Sequence, residues 1–276
     1  LGIAKKLNVP DDYFVLSQSF QFQYYDLNNY NTGLFSFGNG SSNNLAYTIG
    51  LSRNNTFNDP IYPIGGSNFS LSAKVTFPYS AFNGVDYTAL KEEREQKSQR
   101  IQELSTSTDD NDIIERNEAN ERIIEIDQER YKWLEFYKIK FSGDWFAKIK
   151  GNLVLRPRFE FGFLGAYNND RGVIPFERFF VGGDGMQQFS RLDGREAIPL
   201  RGYPNQSLSD NDGGSIYNKF SLELRHPITL KGQTKIFGMA FLEGGSSYNN
   251  FRDFNPFSIK RSAGVGIRLF MPAFGL

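Results

Sequence analysis

One arginine stands out among the residues of this sequence that could do chemistry. Arg201 is the centre of Pro-Leu-Arg-Gly-Tyr at residues 199–203, within a Gly-rich segment that runs from residue 181 to residue 218. Connections within β-hairpins usually have about 2–5 residues, and much longer ones are more often functional or disordered than simple connections. A guanidinium remains charged, so a buried Arg201 requires a carboxylate or carbonyl partner.

Glu243 is the carboxylate that we favour as the partner of Arg201. It closes the run Phe-Leu-Glu-Gly-Gly at residues 241–245, at the end of a predicted strand that is otherwise nearly uncharged. Glu223 and Glu160, on the polar faces of two other predicted strands, are the alternatives. A bidentate pair would tether the loop to a strand, and breaking a buried pair costs about 3–5 kcal/mol. The competing interpretation is an Arg201 exposed to solvent at a loop tip.

The sequence lacks the residue patterns that enzymes and metal sites require. His226 is the only histidine, it precedes a proline, and there is no cysteine to act with it. No Gly-x-Ser-x-Gly or phosphate-binding glycine motif is present. Residues 210–214 (Asp-Asn-Asp-Gly-Gly) resemble the start of a calcium loop, but Ser221 occupies the position of the final glutamate, which favours a turn. We therefore predict no enzymatic activity, no metal and no cofactor.

Charge and composition exclude other classes of protein. The 31 basic and 31 acidic residues cancel, so there is no electrostatic case for a nucleic-acid partner. Aromatic residues reach 16%, yet hydrophobic residues total only 39%, and no apolar run is long enough for a transmembrane helix. Aromatic residues dispersed in polar sequence are typical of a transmembrane β-barrel, in which every second residue faces lipid. A soluble β-sandwich with a large aromatic core is the alternative.

Strict alternation of apolar and polar residues predicts about eight strands. In one of them Arg156, Arg158 and Glu160 alternate with large apolar residues, which fits a face that lines a polar lumen. Residues 1–12 are predicted to be a connecting turn. The predicted strands are residues 13–27, 45–57, 68–78, 136–148, 153–167, 216–228, 234–243 and 262–271.

The connections between these strands alternate between long and short. Long loops near residues 28–44, 84–132, 168–215 and 244–258 would share one end of the sheet. Tight turns near residues 58–67, 149–152 and 229–233 would share the other end. Short periplasmic turns and long extracellular loops are typical of outer-membrane barrels. We therefore predict an all-β, antiparallel transmembrane barrel embedded in a lipid bilayer, with the long loops outside the cell.

Residues 85–131 interrupt the alternation with a dense run of charged residues. They predict two helices, near residues 88–104 and 110–133, with Asp109 or Asp110 as the N-cap of the second. The apolar residues in this stretch are too sparse to predict a buried core. The segment is either a helical extracellular insertion that binds a surface partner or a solvated insertion without one.

The motif around Arg201 resembles the sixth extracellular loop of the BamA–TamA superfamily of outer-membrane barrels. The family's loop carries a Gly-Gly pair and an aliphatic-Arg-Gly-aromatic tetrad, and a downstream strand carries aromatic-x-acidic-x-Gly. The matching residues are Gly182, Gly183, Leu200, Arg201, Gly202, Tyr203, Phe241, Glu243 and Gly245. The resemblance implies that Arg201 reaches into the lumen and pairs with Glu243. The spacer between Gly183 and Arg201 is longer than is usual in the family.

The resemblance also implies an architecture and a function. Residues 261–266 and 271–272 resemble the family's third-from-last strand and the turn after it, so the chain would hold strands seven to fourteen of about sixteen. The POTRA domains and the client gate between the first and last strands would then lie outside this sequence. The implied function is folding and insertion of outer-membrane proteins in Gram-negative bacteria, with unfolded clients and accessory subunits as partners. A TamA-type or two-partner-secretion translocase and a passive porin or adhesin are the alternatives.

Overall fold

The computed structural model describes residues 1–28, 39–57, 59–185, 195–231 and 234–271, and its main element is one antiparallel sheet. In the described residues this sheet has nine strands in the order β1-β2-β3-β4-β5-β6-β9-β10-β11. Its strands are β1 Gly2–Lys6, β2 Phe14–Leu27, β3 Gly40–Asn54, β4 Gly65–Thr76, β5 Tyr137–Lys150, β6 Leu153–Gly165, β9 Ile216–Thr229, β10 Lys235–Tyr248 and β11 Lys260–Phe270. Two short strands, β7 Phe179–Val181 and β8 Glu196–Ile198, form a separate parallel pair.

The eight predicted strands are confirmed as β2 to β6 and β9 to β11, and β1 corrects the prediction for residues 1–12. This segment was predicted to be a connecting turn, but Gly2–Lys6 pairs with β2 from Gly2 opposite Ser19 to Lys6 opposite Val15. All five residues of β1 are exposed, so the strand has no buried face to mark it in the sequence. Its backbone hydrogen bonds to β2 hold it in place.

Several strands extend beyond their predicted ends. β3 begins at Gly40, β4 begins at Gly65, and β10 continues to Tyr248, so Glu243 lies inside a strand and does not end it. The added residues are mostly Gly, Ser and Asn, which are typical of loops in a sequence. They remain in the sheet because the neighbouring strand continues to supply hydrogen-bond partners. Most of the predicted loop at residues 28–44, and parts of the turns near residues 58 and 232, lie outside the described residues.

The polarity of the two faces of the sheet is the reverse of that in a soluble protein. The outer face exposes large apolar side chains, such as Phe22 at 61% and Val265 at 84%. The opposite face, which we call the lumen face, buries charged residues, such as Glu223 at 3% exposed and Arg225 at 4%. Apolar residues outside and charged residues inside are the pattern of a barrel wall in lipid. Of the two alternatives from composition, the barrel is confirmed and the soluble sandwich is excluded.

The charged insertion between β4 and β5 forms two antiparallel helices, α1 Tyr87–Glu103 and α2 Asp110–Tyr131. The side chains of Asp86 and Asp109 accept hydrogen bonds from backbone N–H groups of the first turns, which is typical N-capping. We call α1, α2 and the connection between them the helical hairpin. In the described residues no helix is long and apolar enough to cross a membrane.

The contact between the two helices combines ion pairs with a narrow apolar seam. Three arginines make bidentate hydrogen bonds to carboxylates on the other helix, at 2.7–3.0 Å between N and O. These pairs are Arg94–Asp127, Arg100–Glu115 and Arg122–Glu93. Between them Leu104, Ala119, Ile123 and Ile126 are buried. The prediction that this stretch has too few apolar residues for a buried core is therefore wrong.

The connection between β3 and β4 folds back into the lumen at the end of the sheet that carries the short turns. Tyr62 is 1% exposed, and its hydroxyl donates to the backbone oxygens of Asn152 at 2.8 Å and Arg225 at 2.9 Å. Its ring packs edge-on against Phe237, with 5.2 Å between ring centroids. This turn therefore connects β3 and β4 to strands β9 and β10 across the lumen.

We predict that Tyr62→Phe lowers the free energy of unfolding by about 1–3 kcal/mol, because the buried carbonyl of Arg225 loses its hydroxyl donor and the contact with Asn152 is lost as well. Urea titration of the complete protein in detergent would measure this change. Tyr13→Phe is the matched control, since Tyr13 is exposed and only its hydroxyl is removed. Equal unfolding midpoints for the two variants would contradict the role assigned to the Tyr62 hydroxyl.

Candidate functional site

The lumen face of β10 presents the three residues of the aromatic-x-acidic-x-Gly motif side by side. Phe241, Glu243 and Gly245 alternate along the strand, so they share one face. In the neighbouring strand β9, Glu223 is opposite Phe241 and Ser221 is opposite Glu243. Glu223 and Glu243 are therefore diagonal neighbours on a buried wall. Two adjacent buried carboxylates need a positive charge between them.

Arg201 supplies that charge from the loop. One of its guanidinium nitrogens, Nη2, lies 2.7 Å from Oε1 of Glu223 and 2.7 Å from Oε1 of Glu243. The backbone N–H of Arg201 donates to Oε2 of Glu243 at 2.9 Å. The guanidinium carbon is 3.8 Å from the centre of the Phe241 ring, a cation–π contact. The arginine thus contacts both carboxylates, whereas the sequence analysis favoured Glu243 and gave Glu223 as an alternative.

Glu160, the other alternative, has different partners. It lies 2.7 Å from Nε of Arg158 and 3.8 Å from Nζ of Lys219. The Arg201 side chain is 20% exposed, so it is not at a solvated loop tip. Burial by itself lowers the pKa of Arg201, but the hydrogen bonds and charges of Glu243 and Glu223 outweigh this effect and raise it. Arg201 therefore stays charged, as the two carboxylates require.

The other residues of the tetrad fit against the same wall. Leu200 is fully buried, and a Cβ on Gly245 would come within 2.7 Å of the backbone oxygen of Asn218 and 3.4 Å of the Leu200 side chain. Glycine at position 245 therefore avoids a clash with the backbone of β9 while Leu200 lies in contact with the wall. Gly202 has a φ of +87°, a left-handed conformation that turns the chain at the tip of the tetrad. The Tyr203 hydroxyl donates to the backbone oxygen of Arg261 on β11 at 2.8 Å.

Gly182 and Gly183 hold the two arms of the loop together. The N–H of Gly182 donates to the backbone oxygen of Ile198 at 2.9 Å, and that of Gly183 donates to Tyr203 at 3.1 Å. Gly183 also forms an isolated β-bridge with Leu200. These bonds continue the parallel pair of β7 and β8 up to the tetrad. All the site residues named from the sequence therefore lie in one assembly of loop and wall.

A second set of ion pairs attaches the loop to strands β4 and β5 of the wall. Glu177 lies 2.5 Å from Nζ of Lys74 and 3.0 Å from Nζ of Lys138. Glu196 lies 2.7 Å from Nζ of Lys138 and 2.5 Å from Nζ of Lys140. Neither glutamate was predicted from the sequence as a site residue. The alternation of Lys138 and Lys140 on one strand face was the available signal, since lysines facing the lumen require carboxylates.

Glu223 also joins the loop site to a cluster of arginines deeper in the lumen. Its Oε2 accepts from Arg225 Nε at 2.8 Å and Arg156 Nη1 at 3.2 Å. These arginines, with Arg268 and Asp144, line a cavity of about 460 Å³ near the turn that carries Tyr62. The carboxylate on which Arg201 rests is therefore itself fixed by the wall.

The arrangement can hold the long loop in place against the wall. Within it, Glu243 also accepts a hydrogen bond from the Ser221 hydroxyl at 2.8 Å, and His226 is exposed on the outer face of the sheet. In the part of the chain that the structure describes, no three His, Cys, Asp or Glu side chains are grouped to hold a metal ion. Residues 210–214 form a turn in which Gly213 donates to Asp210 at 2.8 Å.

Comparison with known proteins identifies the fold that carries this site. The family model of the Omp85 superfamily domain matches residues 9–276. The chain belongs to the Omp85 superfamily. Among solved structures, this Omp85 chain is similar to BamA from Haemophilus ducreyi lacking POTRA domains 1–3, with a TM-score of 0.56 and 13% sequence identity. These findings confirm the predicted resemblance to BamA-like barrels.

The match covers unequal shares of the two chains. It covers 96% of this Omp85 chain and 46% of the BamA chain, so the sequence spans less than half of that relative. At this identity the similarity concerns the fold. A search of curated protein sequences finds no match to the chain.

We predict that Arg201→Ala and Glu243→Ala each lower the free energy of unfolding by about 1.5–3 kcal/mol, the range for hydrogen bonds to charged groups. Because the two side chains share a direct bond, the double variant should lose less than the sum, with a coupling of about 0.5–3 kcal/mol. Urea titration of the four proteins would measure the cycle. Arg252→Ala, at an exposed arginine in another loop, is the control. Strict additivity would mean that the two residues do not interact.

We also predict that the loop loosens in acid through Glu196. Burial raises the pKa of Glu196, but Lys138 and Lys140 more than offset this and hold it below the usual range. A lowered carboxyl pKa contributes stability above the unfolded value, and this stability is lost as pH falls through the folded value. Hydrogen exchange of the loop should therefore accelerate only as pH falls below about 4.

Glu196→Gln tests the assignment of this acid sensitivity. The variant should exchange faster at neutral pH, and its acid-dependent increase should be smaller than that of the native protein. Hydrogen exchange followed by mass spectrometry over residues 195–208, corrected for the intrinsic effect of pH, measures both. An undiminished acid response in Glu196→Gln would assign it to other carboxylates.

Proposed function

We propose that this Omp85 chain is the barrel part of an assembly factor that folds and inserts β-barrel proteins into the outer membrane of a Gram-negative bacterium. Its mechanism requires no chemical catalysis, nucleotide, metal or cofactor. Its partners would be unfolded outer-membrane proteins, accessory subunits of the assembly machinery and the surrounding lipid. The observation that carries this proposal is Arg201, held between Glu223 and Glu243 inside an Omp85 wall.

The filling of the lumen argues against a passive pore. At the loop end an apolar cluster packs against the lumen face of the described strands, and at the other end the turn that carries Tyr62 packs against it. A porin needs an open polar channel through its interior. The cluster contains Tyr25, Leu134, Phe136, Leu164, Ile174, Phe176, Phe179, Val181, Ile198, Leu200 and Tyr217. Activity is therefore expected at the wall, its edges and the lipid around it.

We propose that Arg201 acts in this function as a structural latch. It joins the long loop (residues 168–215) to β9 and β10, and Glu177 and Glu196 join the same loop to β4 and β5. One loop thereby ties together strands from two parts of the wall. This connection would keep the barrel's shape while strands at the edges of its wall exchange hydrogen-bond partners with a client strand.

The proposed arrangement in the membrane follows from the connections between strands. The long loops and the helical hairpin at residues 85–131 would face the cell exterior, and the short turns would face the periplasm. Because β1 precedes the eight strands expected from sequence, the sheet would correspond to strands six to fourteen of a barrel of about sixteen. The short strands β7 and β8 belong to the loop and are not counted.

The test is reconstitution of the full-length protein in lipid vesicles, with an unfolded barrel protein added as client. Insertion of the client is followed by its heat-dependent mobility on gels. The native protein should accelerate insertion, and Arg201→Ala should slow it severalfold by loosening the latch. Arg252→Ala, which alters an exposed arginine, should behave like the native protein.

The same vesicles discriminate the alternatives. Absence of acceleration by the native protein would overturn the proposed function. Transport of a secreted protein into the vesicle lumen would instead identify a translocase of the TamA or two-partner-secretion type. Rapid release of small solutes through the native protein would identify a passive pore.

A further inference from the structure

The long loop also carries a fully buried arginine about 30 positions before the tetrad in sequence. Arg171 is 1% exposed, although it lies in the connection between β6 and β7 and not in the sheet. Burying an arginine is costly unless its donors are satisfied. Its contacts therefore indicate what this part of the loop is built to hold.

Arg171 closes the end of α2 in the helical hairpin. Its Nε and Nη2 donate to the backbone oxygen of Arg130 at 2.9 and 2.6 Å, and Nη2 also donates to the backbone oxygen of Trp133. The last carbonyls of a helix lack partners within the helix, and its negative end favours a cation. A residue of the long loop thus performs the C-terminal capping of a helix in a different loop.

A buried carboxylate completes this contact. Glu135, which is 1% exposed and follows α2, accepts from Nη1 of Arg171 at 2.7 Å. It also accepts from the backbone N–H and the hydroxyl of Ser80, both at 2.6 Å. Ser80 belongs to the turn that leaves β4. One ion pair therefore joins the two connections of the helical hairpin to the long loop.

Further bonds between the hairpin and the loop surround the ion pair. The side chain of Arg130 donates to the backbone oxygen of Arg171, so the two arginines bind each other's backbone. On α1, Thr88 donates to Asp170 at 3.0 Å and Lys91 donates to it at 3.3 Å. Both helices thus contact the same short piece of the loop.

The apolar cluster in the lumen connects this contact to the latch. Leu134, just after α2, packs in the same buried cluster as Ile174 and Phe176, which follow Arg171 in the loop. Leu200, the neighbour of Arg201, belongs to that cluster as well. Close-packed interiors transmit displacement, because their side chains have little free volume.

We propose that the helical hairpin is a brace for the long loop and that Arg171 is the positioning residue through which it acts. By fixing the first arm of the loop to α2, Arg171 keeps Leu200 and Arg201 seated against β9 and β10. The functional importance of this placement of Leu200 and Arg201 rests on the proposed role of Arg201 as a latch. A freely solvated insertion would not need a buried ion pair at its base, nor a helix cap supplied by a residue of another loop.

The experiment compares hydrogen exchange in the full-length protein, in detergent, for the native chain and Arg171→Lys. Lysine keeps the charge but cannot contact two carbonyls and a carboxylate at once. Exchange over residues 199–208 should become about tenfold faster, as expected from the loss of charge-assisted hydrogen bonds. Exchange in β9 and β10 should stay as in the native protein.

Arg100→Lys is the matched control. Arg100 binds Glu115 and Glu103 within the hairpin, and it makes no ion pair with the described residues of the long loop. This change weakens the hairpin itself while leaving its base intact, so residues 199–208 should exchange as in the native protein. Glu135→Gln is a second variant at the base, and it should reproduce the effect of Arg171→Lys.

Two results would overturn the brace. One is faster exchange confined to residues 168–178, with residues 199–208 unchanged in both variants at the base. The other is faster exchange throughout the sheet in both variants, which would make the pair a general stability element and not a positioning one. No client protein enters this measurement, so its outcome is independent of whether the insertion assay supports the proposed function.

Discussion

The structure depends on the pairing of charges inside a wall whose outer face is apolar. Once a sheet turns its apolar residues toward lipid, its polar residues face inward, and those covered by the long loop lose most of their contact with water. Lys138, Glu223 and Glu243 are all in this position. Each of them must find an opposite charge, and the long loop supplies one for each. Arg201 satisfies the carboxylates of β9 and β10, while Glu177 and Glu196 satisfy the lysines of β4 and β5. The charges of wall and loop are thus complementary along the loop's path.

Local pattern was enough to predict the wall, but not every contact that fills it. The alternation of side chains has period two, so the eight long strands could be recognised. Glu243 could be favoured as the partner of Arg201 from its place in a nearly uncharged strand, and the resemblance implied the same pair. The strand β1 could not be recognised, because all five of its residues are exposed and therefore show no alternation of buried and exposed positions. The pair β7 and β8 has only three residues in each strand. Its stability comes from the surrounding cluster, which no local pattern records.

Contacts between distant segments account for the residues that the sequence analysis missed. Glu177 and Glu196 are unremarkable in sequence, because the lysines that they bind lie on β4 and β5, between 39 and 103 positions away along the chain. Both helices of the hairpin could be predicted from their caps and composition. Their attachment could not be predicted, because it depends on Arg171, a single residue of a loop whose course is set by the wall. Spacing along the chain indicates which face a residue occupies, and the tertiary fold decides its partner.

The turn that carries Tyr62 has a consequence for how the protein reaches its folded state. The hydrogen bond from Tyr62 to the backbone of Arg225 joins residues 163 positions apart. It cannot form until β9 lies beside β6 and β10 supplies Phe237, so the turn can be seated only after most of the sheet exists. Contacts that close such long stretches of chain are slow to form, because the entropy of loop closure is lost first. We therefore expect the seating of Tyr62 to be a late event in folding, after strands remote in sequence have come together.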